Sequence, residues 1–248
     1  MATSGIDLDF IEPSVGTLDY PKANLKMWVT NPIEADYRIG ACKKEPWTVD
    51  FIEAIPTNGW FIDVGANVGS YTLVALAKGD ISVVAIEPGF PNYHQLCRNL
   101  ALNGLLAKAL CLQIALGDMN GYTWLKYSDM RPGASFLRTT PDPRKEAWHQ
   151  QLVLQWTMDN LLSGFTYEPG ARLFIKMDVD GTEMAILKGA TATLQNPILQ
   201  GMMIEMQRPE EDAIRNYLHQ SGWILKERFD QRDGKQIANI VYGQFERV

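Results

Sequence analysis

"FIDVGANVGSYT", residues Phe61–Thr72, runs from a short apolar strand through a glycine turn into a helix, and the ligand that suits this turn decides how the chain is read. A dinucleotide turn is G-x-G-x-x-G, whose second glycine lets the backbone approach a pyrophosphate. Here Gly65 and Gly69 hold the outer positions and Asn67 fills the middle one. Asp63 stands just before the turn, where a carboxylate repels phosphate. A cationic or zwitterionic ligand is better served. Further on, Glu87 closes the next apolar run, the position from which a strand-end carboxylate accepts hydrogen bonds from ribose hydroxyls. Ribose recognition without a phosphate clamp fits S-adenosylmethionine, an adenosine bearing a sulfonium and an amino-acid tail.

Outward from the turn, apolar runs alternate with amphipathic segments, the mark of β-α units around a mostly parallel sheet. Strands are expected at Trp60–Val64, Ile81–Glu87, Ala109–Ile114, Leu173–Asp178 and Ile198–Glu205. The stretches "PNYHQLCRNLALNG", "GTEMAILKGATATLQN" and "PEEDAIRNYLHQSG" carry apolar residues at helical spacing and stop at Asn103-Gly104, Asn196-Pro197 and Gly222. "WILKERFD" and "IANIVYGQF", joined by a turn at "QRDGK", predict a hairpin. The expected fold is a doubly wound α/β sheet, mostly parallel, with an antiparallel C-terminal hairpin. Residues 1–44 are expected to form an N-terminal extension that covers the site, and 45–248 a single domain with a loop insertion at about 129–150.

The 248 residues, 46% hydrophobic and 21% charged, can bury one sizeable core. A formal net charge of −6 argues against a surface that neutralises many phosphates, so nucleic acid is not an expected partner. Cys42, Cys97 and Cys111 have neither CxxC nor metal-ligand spacing and are expected as reduced, packed thiols. No basic-then-apolar leader and no run of about eighteen apolar residues occurs, so no membrane span and a cytoplasmic location are expected. Oligomeric state is left open, with a homodimer as one option.

Taken in order, "FIDVGANVGSYT", "AIEPGFPNYHQLCRNLALNG", "ALGDMNG", "TMDNLL", "LFIKMDVDGTEMAILKGA" and "PILQGMMIEM" resemble the FkbM family of S-adenosylmethionine-dependent methyltransferases over roughly residues 45–245. The K-x-D-x-[DE]-G-x-E block, Lys176–Glu183, is the most specific part. The resemblance implies the class I methyltransferase, Rossmann-like sheet, with S-adenosylmethionine as cofactor and S-adenosylhomocysteine as product. It also implies O-methylation of a hydroxyl on a small molecule, a sugar or glycan, or a polyketide-type natural product. By position, Asp63, Gly65, Asn67 and Gly69, with Tyr71 and Thr72, are implied to face the methionine moiety, and Glu87, followed by Pro88, the ribose. Ala115 to Asp118 are implied to flank adenine, Asp118 either accepting from the exocyclic amine or serving as a turn residue. Two departures stand out. Asp180 occupies a position where the family often has Glu, and residues 130–150 are unlike the family apart from Ser135.

Lys176, Asp178 and Asp180 alternate at the end of the fourth expected strand, and Glu205 ends the fifth. Charged groups inside apolar strands are costly to bury unpaired, so they point to chemistry. Methyl transfer needs an acceptor oxygen held in line with the sulfonium and a group to take its proton. Asp178 is the expected acceptor-side base or orienting group, with Lys176 and Glu205 tuning it. A salt bridge of Lys176 with Asp178 or Glu205 is the structural alternative. A divalent ion held by Asp178, Asp180, Glu183 and Glu205 ranks below the metal-free version. Trp47, Trp124, Tyr127, Phe136, Trp148 and Trp156 suit a sugar ring or flat acceptor, with core packing as the ordinary alternative. Arg131, Arg138, Arg144 and Lys145 either contact an anionic acceptor or carrier or are solvated charges, the second being the expectation.

Three other readings compete. A ribose 2'-O-methyltransferase acting on RNA is weakened by the acidic balance. A nicotinamide oxidoreductase is weakened by Asn67. A non-catalytic cofactor-binding interaction domain is weakened by the charged strand ends.

Overall fold

The structure is a computed structural model and describes residues 12–134, 138–140, 149–233 and 236–248. It opens on an antiparallel pair, β1 (Ser14–Thr17) and β2 (Lys26–Val29), and passes through a wide helical turn at Glu34–Arg38 into α1 (Ala41–Lys44) and α2 (Pro46–Glu53). The β-α units follow as β3 (Gly59–Val64), α3 (Ser70–Lys78), β4 (Ser82–Ile86), α4 (Phe90–Leu102) and β5 (Ala109–Leu112). A second sheet interrupts them with β6 (Ala115–Leu116), β7 (Gly121–Tyr127), β8 (Arg138–Thr140) and β9 (His149–Trp156). After α5 (Met158–Ser163) the units resume as β10 (Arg172–Met177), α6 (Glu183–Lys188), α7 (Thr191–Gln195), β11 (Leu199–Gln207) and α8 (Glu211–Gln220). The hairpin β12 (Trp223–Asp233) and β13 (Gln236–Arg247) closes the order.

The main sheet runs β12-β13-β11-β10-β3-β4-β5. From β11 to β5 all neighbours are parallel, whereas β13 is antiparallel to both β11 and β12. The expected hairpin is present, but its second strand is inserted between β11 and the first strand instead of lying at the edge. Strands β3 and β11 are buried along nearly their whole length, as strands covered on both faces must be, which is why they read as continuous apolar runs.

Two cores flank the sheet. On one face Ile62, Val64, Ile175, Met177 and Ile204 pack against residues of α5 to α8, among them Leu161, Leu187 and Leu218. On the other, Phe61, Val83, Ala85 and Met203 meet Phe51 of α2, Leu73 of α3 and Leu96 of α4. Leu18, Tyr20, Leu25 and Met27 of the N-terminal segment belong to this second core. The segment is therefore packed in as firmly as the helices it touches.

Two expectations are corrected. The third strand, expected over Ala109–Ile114, ends at Leu112 opposite Ile86, and Ala115–Leu116 pair with Gln155–Trp156 in the second sheet. The stretch expected as a loop holds β8, paired to Trp124–Lys126, and the start of β9, paired along β7. Its strands answer to partners distant in sequence, which local periodicity does not register. Among the described residues no helix is long and apolar enough to cross a membrane.

Candidate active site

A cleft of about 800 Å³ opens at the C-terminal edge of the parallel strands, where the connections from β3 and β10 diverge to opposite faces. This is the switch point at which doubly wound sheets bind ligands. Its walls are the Gly65–Asn67 turn, Glu87 and Pro88 after β4, Ala115, Leu116 and Leu125 of the second sheet, and Lys176 to Asp180. Glu205, Gln231 and Tyr242 close it on the β11 to β13 side, and Arg38, Lys44 and Glu45 reach it from the N-terminal segment.

The turn explains its own sequence. Gly65 adopts φ +79° and passes so close to β10 that a Cβ would sit 1.9 Å from the Asp178 carbonyl oxygen. Asn67 takes a left-handed conformation, φ 50°, which Asn tolerates better than most residues. Its backbone N–H donates to Glu87 Oε2 at 2.9 Å, and its side-chain amide donates to the Ala134 carbonyl at 3.1 Å. The other Glu87 oxygen accepts from the Gly89 N–H at 2.8 Å. Burial pushes the Glu87 carboxyl up to about 7, against the lowering effect of these backbone donors.

Several residues singled out from sequence lie off the cleft. Asp63 is buried behind the wall, where its Oδ2 accepts from the Thr72 hydroxyl at 2.6 Å and its Oδ1 lies 3.6 Å from Lys176 Nζ. Asp63 and Thr72 therefore brace the lysine from beneath instead of facing the ligand. Gly69 starts α3 at φ +91° with Leu96 Cδ1 where a Cβ would be, 2.5 Å away, so its place is in helix packing. Asp118 is exposed and away from the lining, whereas Ser128 and Asp129, just after β7, are on it. Tyr71, Pro88 and Ala115 do line the cleft. The described aromatics Trp47, Trp124, Tyr127 and Trp156 do not, and Trp47 stacks on Phe229 with centroids 5.3 Å apart.

The charged row is built by strand register. Lys176 is paired with Asp63 across β10 and β3, and Glu205 with Tyr242 across β11 and β13. Lys176 Nζ lies 3.2 Å from Asp178 Oδ2 and 5.2 Å from the Tyr71 ring centroid. The alternation read from sequence stops there, because β10 ends at Met177 and Asp180 reaches the cleft from a left-handed backbone, φ 59°, and not from the strand. Burial works against the charge on Lys176, but Asp178, Asp63 and Glu45 outweigh it and hold the ammonium above the usual lysine range. Burial also works to raise Asp178, yet Lys176 and Lys44 pull it below the usual carboxylate range. Glu205 goes the other way. Burial, then the charges of Asp178 and Asp180, push it well up, while the Tyr242 hydroxyl donates to its Oε2 at 2.8 Å. Of the two carboxyls Asp178 is thus the one biased towards ionisation and Glu205 the one biased towards its protonated form.

A sequence model of the family described as "Methyltransferase FkbM domain" matches residues 63–225. The chain belongs to the FkbM methyltransferase family. The Sordaria araneosa protein named methyltransferase sdnD is 28% identical over 193 residues, 66% of this chain and 74% of that protein. Among solved structures, M. jannaschii TYW2 in complex with AdoMet (S-adenosylmethionine) superposes with a TM-score of 0.50 at 13% identity, over 95% of this chain and 87% of that one. A candidate rRNA methylase from Clostridium thermocellum gives 0.51 at 9% identity, over 83% and 96%. At such identities the likeness carries the fold, the class I methyltransferase sheet.

Members of the FkbM family take their methyl group from S-adenosylmethionine, and the cleft suits it. Its volume lies within the roughly 300–1,000 Å³ of small-molecule sites. A buried carboxylate, Glu87, stands where a ribose would need it, and Ala115, Leu116 and Leu125 offer an apolar wall to a base. Among the described residues no group of three or more His, Cys, Asp or Glu is arranged to hold a metal ion. Glu183, from the metal set weighed above, is committed to the backbone: its Oε1 accepts from Val179 N–H and Gly181 N–H, both at 3.2 Å.

The second Glu183 oxygen is buried without a partner, and burial pushes the carboxyl up to about 7 despite the two backbone donors. A raised carboxyl stabilises the fold fully below its unfolded value and loses that contribution as pH climbs through the folded value. Glu183→Gln keeps the acceptor and removes the titration. Its stability relative to the parent chain is expected to rise by roughly 2–3 kcal/mol between about pH 4.5 and pH 7, measured as the difference between denaturant curves.

Sequence reasoning missed the roof of this FkbM site. Asn31 Nδ2 donates to the Pro132 carbonyl at 2.9 Å, Arg38 Nε to the Gly133 carbonyl at 2.8 Å, and Asn92 Oδ1 accepts from Gly133 N–H at 2.9 Å. With Asn67 on Ala134, four side chains pin the turn at residues 131–134 over the cleft. The asparagines and the Pro-Gly pair were the available signal. Ser135, Phe136, Arg144, Lys145 and Trp148, and the side chain of Arg138, lie outside the described residues.

Proposed function

We propose that the chain is an S-adenosylmethionine-dependent O-methyltransferase acting on a hydroxyl of a small molecule, sugar or glycan, or polyketide-type natural product. The observation that carries this reading is the placing of Asp178 on the cleft, 3.2 Å from a fully buried Lys176 and with Glu205 on the same lining. S-adenosylmethionine supplies an electrophilic methyl group on its sulfonium. Asp178 would accept the hydrogen bond of the acceptor hydroxyl and take its proton as the C–O bond forms and the methyl–sulfur bond breaks, with S-adenosylhomocysteine as the leaving group. An oxygen gaining a methyl group becomes strongly acidic, so a carboxylate of depressed pKa is base enough. Lys176 keeps Asp178 ionised beforehand. Burial and the charge of Asp178 bias Glu205 towards its protonated form, which leaves Asp178 as the proton acceptor.

Glu87 and the Asn67 turn serve the ribose, Tyr71 borders the methionine end of the cofactor, and the N-terminal residues up to Lys44 act as the cover. Calorimetric titration with S-adenosylmethionine and S-adenosylhomocysteine tests the cofactor half. The parent chain is expected to bind both, and Glu87→Ala to weaken binding by about tenfold to a hundredfold through two lost hydrogen bonds to charge. A parent chain that binds neither ligand would remove the proposal.

A further inference from the structure

Beyond Asp178 the cleft carries oxygens that the fold leaves without partners. Glu45, at the N-terminus of α2, is 3% exposed, and its Oε1 accepts from Lys44 Nζ at 3.1 Å while its Oε2 has no hydrogen-bond partner. Gln231 of β12, 8% exposed, leaves its Oε1 in the same state. Both residues line the cleft together with Asp178. Glu205 Oε1 is a third such oxygen on the cleft, beside the Asp178 already assigned to methyl transfer. Buried oxygens are almost always paired, so two orphans from opposite ends of the chain, facing one cavity, point to a ligand.

The pairing of β12 with β13 is irregular between Asp230 and Arg232, where Gln231 alone on β12 stands opposite residues 238–240, the extra residues belonging to β13. Gln231 is thus outside the regular ladder at the point where it lines the cleft.

The surrounding charge narrows the ligand. Carboxyl groups of Glu45, Asp178 and Asp180 line this end against the ammonium groups of Lys44 and Lys176, and Asp63, behind the wall, offsets the charge of Lys176. An anionic group entering there meets a surplus of negative charge, whereas an uncharged donor meets two waiting acceptors. We infer that Glu45 and Gln231 form an acceptor subsite for hydroxyl groups neighbouring the one methylated at Asp178, so that the acceptor is a neutral polyhydroxylated molecule and not a phosphorylated or carboxylated one. The inference rests on the methyltransferase reading above. Glu45 and Gln231 are positioning residues in it, accepting O–H bonds and taking no part in methyl transfer.

The test uses the full chain saturated with S-adenosylhomocysteine and follows Tm against a panel of methyl glycosides and the matching uronates and sugar phosphates. Neutral glycosides are expected to raise Tm in a concentration-dependent way, and their anionic counterparts to leave it unchanged. In Glu45→Gln and Gln231→Leu the apparent glycoside affinity should fall about tenfold with S-adenosylhomocysteine affinity kept, and in Gln231→Leu the ligand-free Tm should equal or exceed that of the parent. A purely structural role of Gln231 predicts the opposite, a lower ligand-free Tm in that variant. No glycoside response, a larger response to the anions, or a response that survives both variants overturns the inference while the methyltransferase reading stands. Failure of the parent chain to bind S-adenosylhomocysteine overturns both.

Discussion

Asp178→Asn is expected to slow methyl transfer by about 10²–10⁴-fold, the range a positioned base contributes, with S-adenosylmethionine affinity essentially unchanged. Asparagine preserves the shape and the contact with Lys176, 3.2 Å away, so the loss reports on charge and proton acceptance. The substitution has a second signature. Asp178 is, after burial, the leading cause of the raised Glu205 value, and removing its charge lets Glu205 ionise at lower pH. Residual activity in the variant should therefore climb with pH as Glu205 deprotonates and takes over part of the work. Single-turnover rates across a pH series measure both effects. A variant that turns over at the parent rate removes Asp178 from the chemistry.

The largest structural effect is expected from Gly65→Ala. A methyl group there would lie 1.9 Å from the Asp178 carbonyl oxygen and 3.1 Å from Val179 Cγ1, at a φ of +79° that L residues rarely adopt. The colliding atom is backbone, held in register by the Asp178 N–H bond to the Val64 carbonyl at 3.1 Å, so it has little freedom to move. The cost is expected to reach roughly 4 kcal/mol, a fall in Tm of about 10 °C for a chain of this size. Gly79→Ala is the control. Its φ is +75° and ψ 173° with nothing within 4 Å, so its cost is backbone strain without a clash, about 1–3 kcal/mol. Melting curves that fall together for the two variants would show that the close approach of β3 and β10 is not what Gly65 provides.

The main sheet was legible because parallel strands covered on both faces leave unbroken apolar runs, as at β3 and β11. The second sheet was not, because β7, β8 and β9 find their partners through contacts that no local period records. The same limit governs the site. Asp178, Lys176 and Glu205 stood out as charges inside apolar strands, and register brings them together. Asp118 and Asp129 each follow or precede a turn, and only the pairing of β7 with β9 decides which of them reaches the cleft. Asp180 broke the expected alternation through a left-handed backbone, for which the adjoining Gly181 was the sole hint. Glu45 and Gln231 carry no local mark, since what distinguishes them is burial created by other segments.

The inserted position of β13 bears on how the protein is made. Strand β12 is synthesised first, yet its only neighbour in the sheet is β13, which also stands between it and β11. While the chain emerges from a ribosome, β12 therefore has no edge to join until residues 236–247 have followed it. The wall that carries Tyr242 and fixes Glu205 is completed last, after the cofactor turn and the Lys176 strand are already available to pair. Such a late, long-range closure is slow compared with local folding and leaves a bare strand edge in the interval. Nascent chains stalled before β13 should be the aggregation-prone form of this protein, and cofactor added during translation would find its floor laid before its side wall.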